Sequence, residues 1–311
     1  MRVYSFLPSA TEMVYALGLG DQLCGVTNEC DYPPDARSKP VVVQSLLDPT
    51  TMRQDEIDWR VVDDMSHGHG LYRINRDVLL KYRPDVIITQ ELCDVCSVSL
   101  RDVLKTVSEL STQCTVLSLK PGGLEGMLQD ILTVGAACGV KEKAEELTDS
   151  LRRRIAAIRD AAVGLPRRRV FCVEWYDPLF AAGHWVPEMV ALAGGLEVLG
   201  RPGEVSRRAS WPEVIRADPE LILLIPCGFG ADRAVSDAEL LTRLEGWDEL
   251  KAVRDGEVYA ADGSAYFSRP GPRLVDGLEL LAKVIHPEVF GREVDPRRVV
   301  RLGARTYDVS T

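Results

Sequence analysis

This sequence is poor in positive charge, sulfur and aromatic rings, and it has no long hydrophobic run. Acidic residues outnumber basic ones 47 to 37, a net charge of −10. Nucleic-acid partners need a basic footprint against phosphate, so that class is disfavoured. No polybasic amphipathic segment stands out, which argues against a membrane-surface role. The longest apolar stretches, such as Leu221 to Pro226, fall far short of the ~20 residues that span a bilayer, so no transmembrane segment is expected. Eight cysteines in 311 residues are too sparse for a disulfide scaffold, and most are expected to be reduced. Catalytic signatures are missing too. There is no G-x-S-x-G, no Walker loop and no G-x-G-x-x-G after a strand, and "GHG" and "GFG" are too short to count. The expectation is a protein that is not an enzyme. "VYSFLPSATE" near the start reads as a strand and loop rather than a secretory leader. The expected location is cytoplasmic if the sequence is complete, and periplasmic or extracellular if a leader was removed.

What is present is a repeat. With 311 residues, 46% of them hydrophobic, two domains with real cores are expected. "TEMVYALGLG" from Thr11 matches "PEMVALAGG" from Pro187: Glu12, Met13, Val14 and Gly18 correspond to Glu188, Met189, Val190 and Gly194. Upstream, "RVYSF" (Arg2–Phe6) and "RVFCV" (Arg169–Val173) both read as buried strands. Downstream, "NRDVLLKYRPDVIIT" (Asn75–Thr89) resembles "SWPEVIRADPELILL" (Ser210–Leu224), each a short helix halted near a proline and followed by a strand. "TVLSL" (Thr115–Leu119) and "EVYAA" (Glu257–Ala261) also correspond. The fold class is therefore α/β, with two similar Rossmann-like lobes built on parallel sheets.

Between them, Ala144, Leu147, Leu151, Ile155, Ile158 and Ala162 form a helical stripe, ended by Gly164 and Pro166. About 25 residues give a rod of roughly 38 Å. The expected organisation is an N-terminal lobe 1–138, a linking backbone helix 139–164, a C-terminal lobe 165–290 and a basic tail 291–311, with a ligand cleft between the lobes. The chain is expected to be monomeric.

Ligands of open parallel sheets bind at the carboxyl ends of strands. The loops there carry Pro8, Ser9, Ala10 and Thr11, where Ser9 or Thr11 also serves as a plain helix cap. They also carry Tyr32, then Trp175, Tyr176, Phe180, His184 and Trp185, then Tyr266, Phe267 and Arg269. With aromatics at only 6%, this density suits a broad, flat, mostly apolar ligand, the alternative being that some of these rings fill the core. His67 and His69 form a weak metal motif, with capping or solvent exposure as the bland reading. Cys93 and Cys96 form a lone CxxC. With Cys30 and Cys227, which also follow predicted strands, they are candidate metal ligands, weighed against buried inert thiols and redox chemistry.

Taken together, "PSATE", "CDYPP", "RPDVIIT", "RVFCVEWYDPLFAAG" and "YFSRPGPR" resemble the periplasmic cobalamin-binding proteins, in the helical-backbone class of ABC-importer binding proteins. The resemblance covers roughly residues 2–285. It implies binding of a corrinoid, cobalamin or cobinamide, with Tyr32, Trp175, Tyr266, Phe267 and Arg269 at corrin-contacting positions. It also implies an importer permease as partner, met through one acid on each lobe, here Asp77 and Glu213. The stretch from Gln44 to Asn75 is longer than its family counterpart, and Trp59 and Tyr72 are the candidate stacking residues there. The competing readings are a binding protein for haem, a siderophore or a metal ion, and an enzyme that processes a tetrapyrrole or metal.

Overall fold

The short β-branched runs form strands in two separate sheets. The computed structural model describes residues 1–303 apart from 50, 68, 92–99 and 110–113. The chain divides into two units. One holds Met1–Pro121, Glu125–Leu151 and Pro270–Pro272; the other holds Gly122–Leu124, Arg152–Arg269 and Arg273–Thr311.

In the first unit the strands are β1 (Val3–Ser5), β2 (Leu23–Thr27), β3 (Val41–Ser45), β4 (Tyr72–Ile74), β5 (Val86–Gln90) and β6 (Thr115–Leu119), in sheet order β4-β3-β2-β1-β5-β6. All neighbours are parallel except β4, which runs antiparallel to β3. The helices are α1 (Pro8–Ala16), α2 (Gln54–Ser66), α3 (Arg76–Tyr82), α4 (Leu100–Ser108) and α5 (Leu124–Ala137). Tyr4, Phe6, Val42, Val43, Leu79, Ile87 and Val103 form a core cluster.

Next comes α6 (Lys141–Ala162), 22 residues long, and the division between units falls inside it, after Leu151. At ~1.5 Å per residue it is about 33 Å long. The second unit contains β7 (Arg168–Tyr176), β8 (Leu179–Ala181), β9 (Gly195–Glu197), β10 (Arg207–Arg208), β11 (Leu221–Leu224), β12 (Val258–Ala261) and β13 (Val299–Leu302). Their order is β10-β8-β7-β11-β12-β13, with β9 also beside β7. Its helices are α7 (Val186–Leu192), α8 (Trp211–Ala217), α9 (Ala231–Ser236), α10 (Glu239–Thr242), α11 (Lys251–Arg254), α12 (Gly263–Tyr266), α13 (Leu274–Ile285) and α14 (Pro287–Phe290).

The repeat survives as geometry. β1-β5-β6 and β7-β11-β12 have the same neighbour order and parallel sense. Gly18 and Gly194 both follow a helix end with positive φ, +74° and +83°, the left-handed conformation that glycine adopts without penalty. Glu188 Oε2 accepts the N–H of Leu124, the first residue of α5, at 2.9 Å. Glu12 is buried beside Gly271, just before α13.

Three features depart from the expected plan. First, the sheets are mixed rather than purely parallel: β8, β10 and β13 all pair antiparallel. Only Asp177 and Pro178 link β7 to β8, and so short a link returns a strand antiparallel. Second, each unit includes three residues, 270–272 or 122–124, whose sequence neighbours belong to the other unit. Third, part of the expected basic tail is sheet. β13 lies along β12, with Val299 and Leu302 buried and Arg301 Nε donating to the Gly256 carbonyl at 2.7 Å. Among the described residues no helix is long and apolar enough to cross a membrane.

Candidate functional site

The aromatic loop of the second unit begins inside β7. Phe171, Val173 and Tyr176 all belong to the core cluster on one face of the sheet. Strict alternation would not put 173 and 176 on one face. A register shift against β8 between Val173 and Trp175 supplies the extra residue. As a result Tyr176 points inward and Trp175 outward. Tyr176 is 4% exposed, and its hydroxyl donates to the Ala234 carbonyl at 3.2 Å. Burial pushes its pKa well above the usual phenol value. Trp175 is half-buried, opposite Phe180 in the register and stacked on Phe229 with ring centroids 5.3 Å apart. The register continues from Phe180 to Arg208 of β10, whose guanidinium lies 5.6 Å from the Phe180 ring centre.

Trp185 is also a packing residue: it is 3% exposed, and its indole N–H donates to the Phe267 carbonyl at 2.6 Å. Tyr266 and Phe267 are buried as well, and the guanidiniums of Arg298 and Arg273 lie 5.3 and 5.8 Å from the Tyr266 ring centre. Arg269 is half-buried. His184 has a positive φ of 55°; its N–H donates to the Glu204 carbonyl at 2.6 Å, and its own carbonyl accepts from Gly203 N–H at 2.8 Å. Burial lowers its pKa, which favours a neutral imidazole. In the second unit, then, Trp175, Phe180 and Arg269 remain partly accessible, whereas Tyr176, Trp185, Tyr266 and Phe267 are packed inward.

In the first unit, α1 begins right after β1, with Pro8 in its first turn and no side-chain cap. The caps expected of Ser9 and Thr11 are therefore not formed. Ser9, Ala10 and Thr11 are buried, and among the described residues the Ser9 hydroxyl has no hydrogen-bond partner. Thr11 Oγ1 lies 3.0 Å from Cys30 Sγ, and Thr27 Oγ1 lies 3.2 Å from the same sulfur. The Cys30 thiol thus sits among hydroxyls. Tyr32, on the loop after β2, is 45% exposed. Trp59 is exposed on α2, while Tyr72 on β4 packs against the first core.

Cys93 and Cys96 lie outside the described residues. Cys227 follows β11, its N–H donating to the Glu174 carbonyl at 3.0 Å. Among the described residues no group of three or more His, Cys, Asp or Glu is arranged to hold a metal. His67 is the C-terminal cap of α2, and its ring contacts are local: the Asp63 carbonyl at 2.8 Å, Ser66 at 3.2 Å and the His69 ring, with centroids 6.1 Å apart.

Asp77 and Glu213 prove to be unlike. Asp77 is the second residue of α3 and is exposed. Glu213 is the third residue of α8 and closes a capping box, accepting from Ser210 N–H at 2.7 Å and the Ser210 hydroxyl at 2.8 Å. It also pairs with Arg207 at 3.1 Å, and these contacts, the Ser210 N–H foremost, draw its pKa down to about 2. Aligning Pro84 with Pro219 puts Val78 opposite Glu213, so the two acids are one residue out of register.

Two functional features carry little or no sequence signal. Phe229 lies in "GFG", where flanking glycines a few residues past β11 mark a loop but no ligand. Glu197 lies among backbone donors, Cys172 N–H at 3.0 Å, Leu199 N–H at 3.1 Å and Gly200 N–H at 3.2 Å, yet burial pushes its pKa to about 7.

The chain is 25% identical over 296 residues to a Bacillus subtilis protein named as an uncharacterized ABC transporter substrate-binding lipoprotein, YvrC, covering 93% of this chain and 81% of that one. It is 24% identical over 287 residues to the vitamin B12-binding protein of Vibrio cholerae, covering 89% and 86%. The solved structure of that organism's B12-binding protein, BtuF, superposes with a TM-score of 0.68 at 22% identity, covering 94% of this chain and 98% of that one. A periplasmic haem-binding protein, RhuT from Roseiflexus sp. RS-1, superposes with a TM-score of 0.69 at 22% identity over 93% and 98% of the two chains. At these identities both structures attest the fold alone. The periplasmic binding protein family matches residues 5–265, and this chain belongs to it.

Proposed function

We propose that this chain binds a corrinoid, cobalamin or cobinamide, without catalysis, for uptake or intracellular handling. The observation that carries the reading is Trp175: a register shift turns its ring out of the core at the carboxyl end of β7, and Phe229 backs it. A corrin ring is large and flat, with apolar faces and an amide fringe. It needs aromatic faces and a few polar groups, and no dedicated charge cluster. We assign Trp175, Tyr32 and Arg269 as contacting side chains, with the start of α1, Pro8 to Thr11, as backbone support. Tyr266, Phe267 and Trp185 then shape the loop that carries Arg269. The similarity to a vitamin B12-binding protein across 89% of the chain supports this ligand class. The name of the Bacillus subtilis relative supports an importer permease as partner, with Asp77 and Glu213 as docking acids.

The deciding experiment is the visible spectrum of the purified protein after incubation with hydroxocobalamin and desalting. Retained corrinoid bands at one equivalent per chain are expected. A colourless protein from that experiment, with haemin retained in a parallel one, would transfer the site to haem.

A further inference from the structure

Phe229 is buried, yet it stands apart from the core cluster that holds Tyr176, Ile222 and Trp247. Its described ring partners are two: the Trp175 indole, 5.3 Å away and inclined by 27°, and the Arg233 guanidinium, 4.7 Å from the ring centre. Phe229 therefore packs against both the indole and the guanidinium. Arg233 is itself held, its Nε donating to Asp237 at 2.7 Å one turn further along.

The backbone of Phe229 reaches a second loop. Its N–H donates to the Pro226 carbonyl at 3.1 Å, closing a turn in which Gly228 has φ +79°, and its carbonyl accepts Ser264 N–H at 3.0 Å. Gly263 lies so close to this turn that a Cβ there would stand 2.4 Å from the Pro226 carbonyl. From Gly263 hangs the segment leading to Arg269, through Phe267 N–H at 3.1 Å and Ser268 N–H at 2.8 Å to its carbonyl. One residue therefore supports both the ring and the loop assigned to the ligand.

We infer that Phe229 is a positioning residue, which fixes the plane of the Trp175 ring for ligand stacking while tying the 263–269 loop to the turn after β11. The inference rests on the binding reading above. A ring left unbacked retains its area but loses its preset orientation, and affinity falls by the ordering that binding must then impose.

The test is a double-mutant cycle in corrinoid affinity, measured by titration calorimetry on the full chain. Phe229→Ala should weaken binding about tenfold, and Phe229→Tyr, which keeps the ring, should restore most of it. In a Trp175→Ala background the further loss from Phe229→Ala should shrink to about twofold or less, because the ring it positions is gone. Leu241→Ala, which opens the core cluster that Phe229 is not part of, should lower stability without moving affinity. Should Phe229→Ala fold poorly, Phe229→Leu replaces it: volume is nearly kept, planarity is lost, and the same non-additivity is expected. Fully additive losses, or equal affinity for the Leu and Tyr variants, would overturn the inference and leave the binding reading standing. A wild-type chain that retains no corrinoid would instead remove the binding reading itself.

Discussion

A single residue of register in β7 decides which of two adjacent aromatics is available to a ligand. Trp175 and Tyr176 are neighbours in sequence, and composition makes them equal candidates. The shift after Val173 sends one outward and the other into the core. Trp175→Ala should therefore weaken corrinoid binding by about 1–3 kcal/mol, the range for a buried contact aromatic, as calorimetry would show. Tyr176→Phe should leave affinity unchanged and cost about 0.5–1.5 kcal/mol of stability for the lost bond to Ala234, measured by urea unfolding. Glu197 gives a pH signature. Its folded pKa is about 7 against an ordinary 4.5, because burial disfavours the charge. Between those values the folded chain holds a proton that the unfolded chain has released, so stability falls as pH rises from about 4.5 to about 7. In Glu197→Gln that part of the decline should vanish when urea midpoints are compared at pH 5 and pH 8. An unchanged slope would place the titration elsewhere.

At the scale of elements, strands and helix starts were legible because each is coded locally. "RVYSF", "DVIIT" and "TVLSL" became β1, β5 and β6, and their counterparts became β7, β11 and β12. The helix-ending glycines were legible for the same reason. Gly194→Ala should destabilise more than Gly18→Ala in urea unfolding. Both force a side chain into positive φ, but at Gly194 the new methyl would also lie 2.9 Å from His286 Nε2. Less was legible in the docking acids, where similarity of pattern concealed a difference of one residue. Glu213 is occupied by Ser210 and Arg207, and Asp77 stands exposed on its first turn. Reversing both charges should leave corrinoid affinity within about twofold, and a larger loss would tie these acids to the site. The antiparallel strand β13 was not legible, since nothing in "RRVVRL" names β12 as its partner. Removing residues 295–311 should expose that edge and lower the unfolding temperature of the chain.

For the whole molecule, ligand binding should appear as stability. Cobalamin at about a hundred times its Kd should stabilise the folded chain by about 2.7 kcal/mol, seen as a raised melting temperature; a matching rise with haemin and none with cobalamin would reverse the ligand assignment. The sequence alone determined that the chain is an α/β protein with two related halves and a long helix inside it. Those properties follow from periodicity, proline and glycine placement and composition, each of which acts within a dozen residues. The aromatics expected on a loop after β7 lie partly in strands, Trp175 and Tyr176 in β7 and Phe180 in β8. Tertiary structure alone decided that the sheets are mixed, that residues 122–124 and 270–272 pack away from their sequence neighbours, and that Tyr176, Trp185, Tyr266 and Phe267 turn inward. It alone brought Phe229 behind Trp175 across more than fifty residues of chain. The physical reason is the same in every case. A local pattern sets which backbone shape is cheapest, but the face a side chain presents, and the partner it meets, depend on register and on packing against segments far away in sequence.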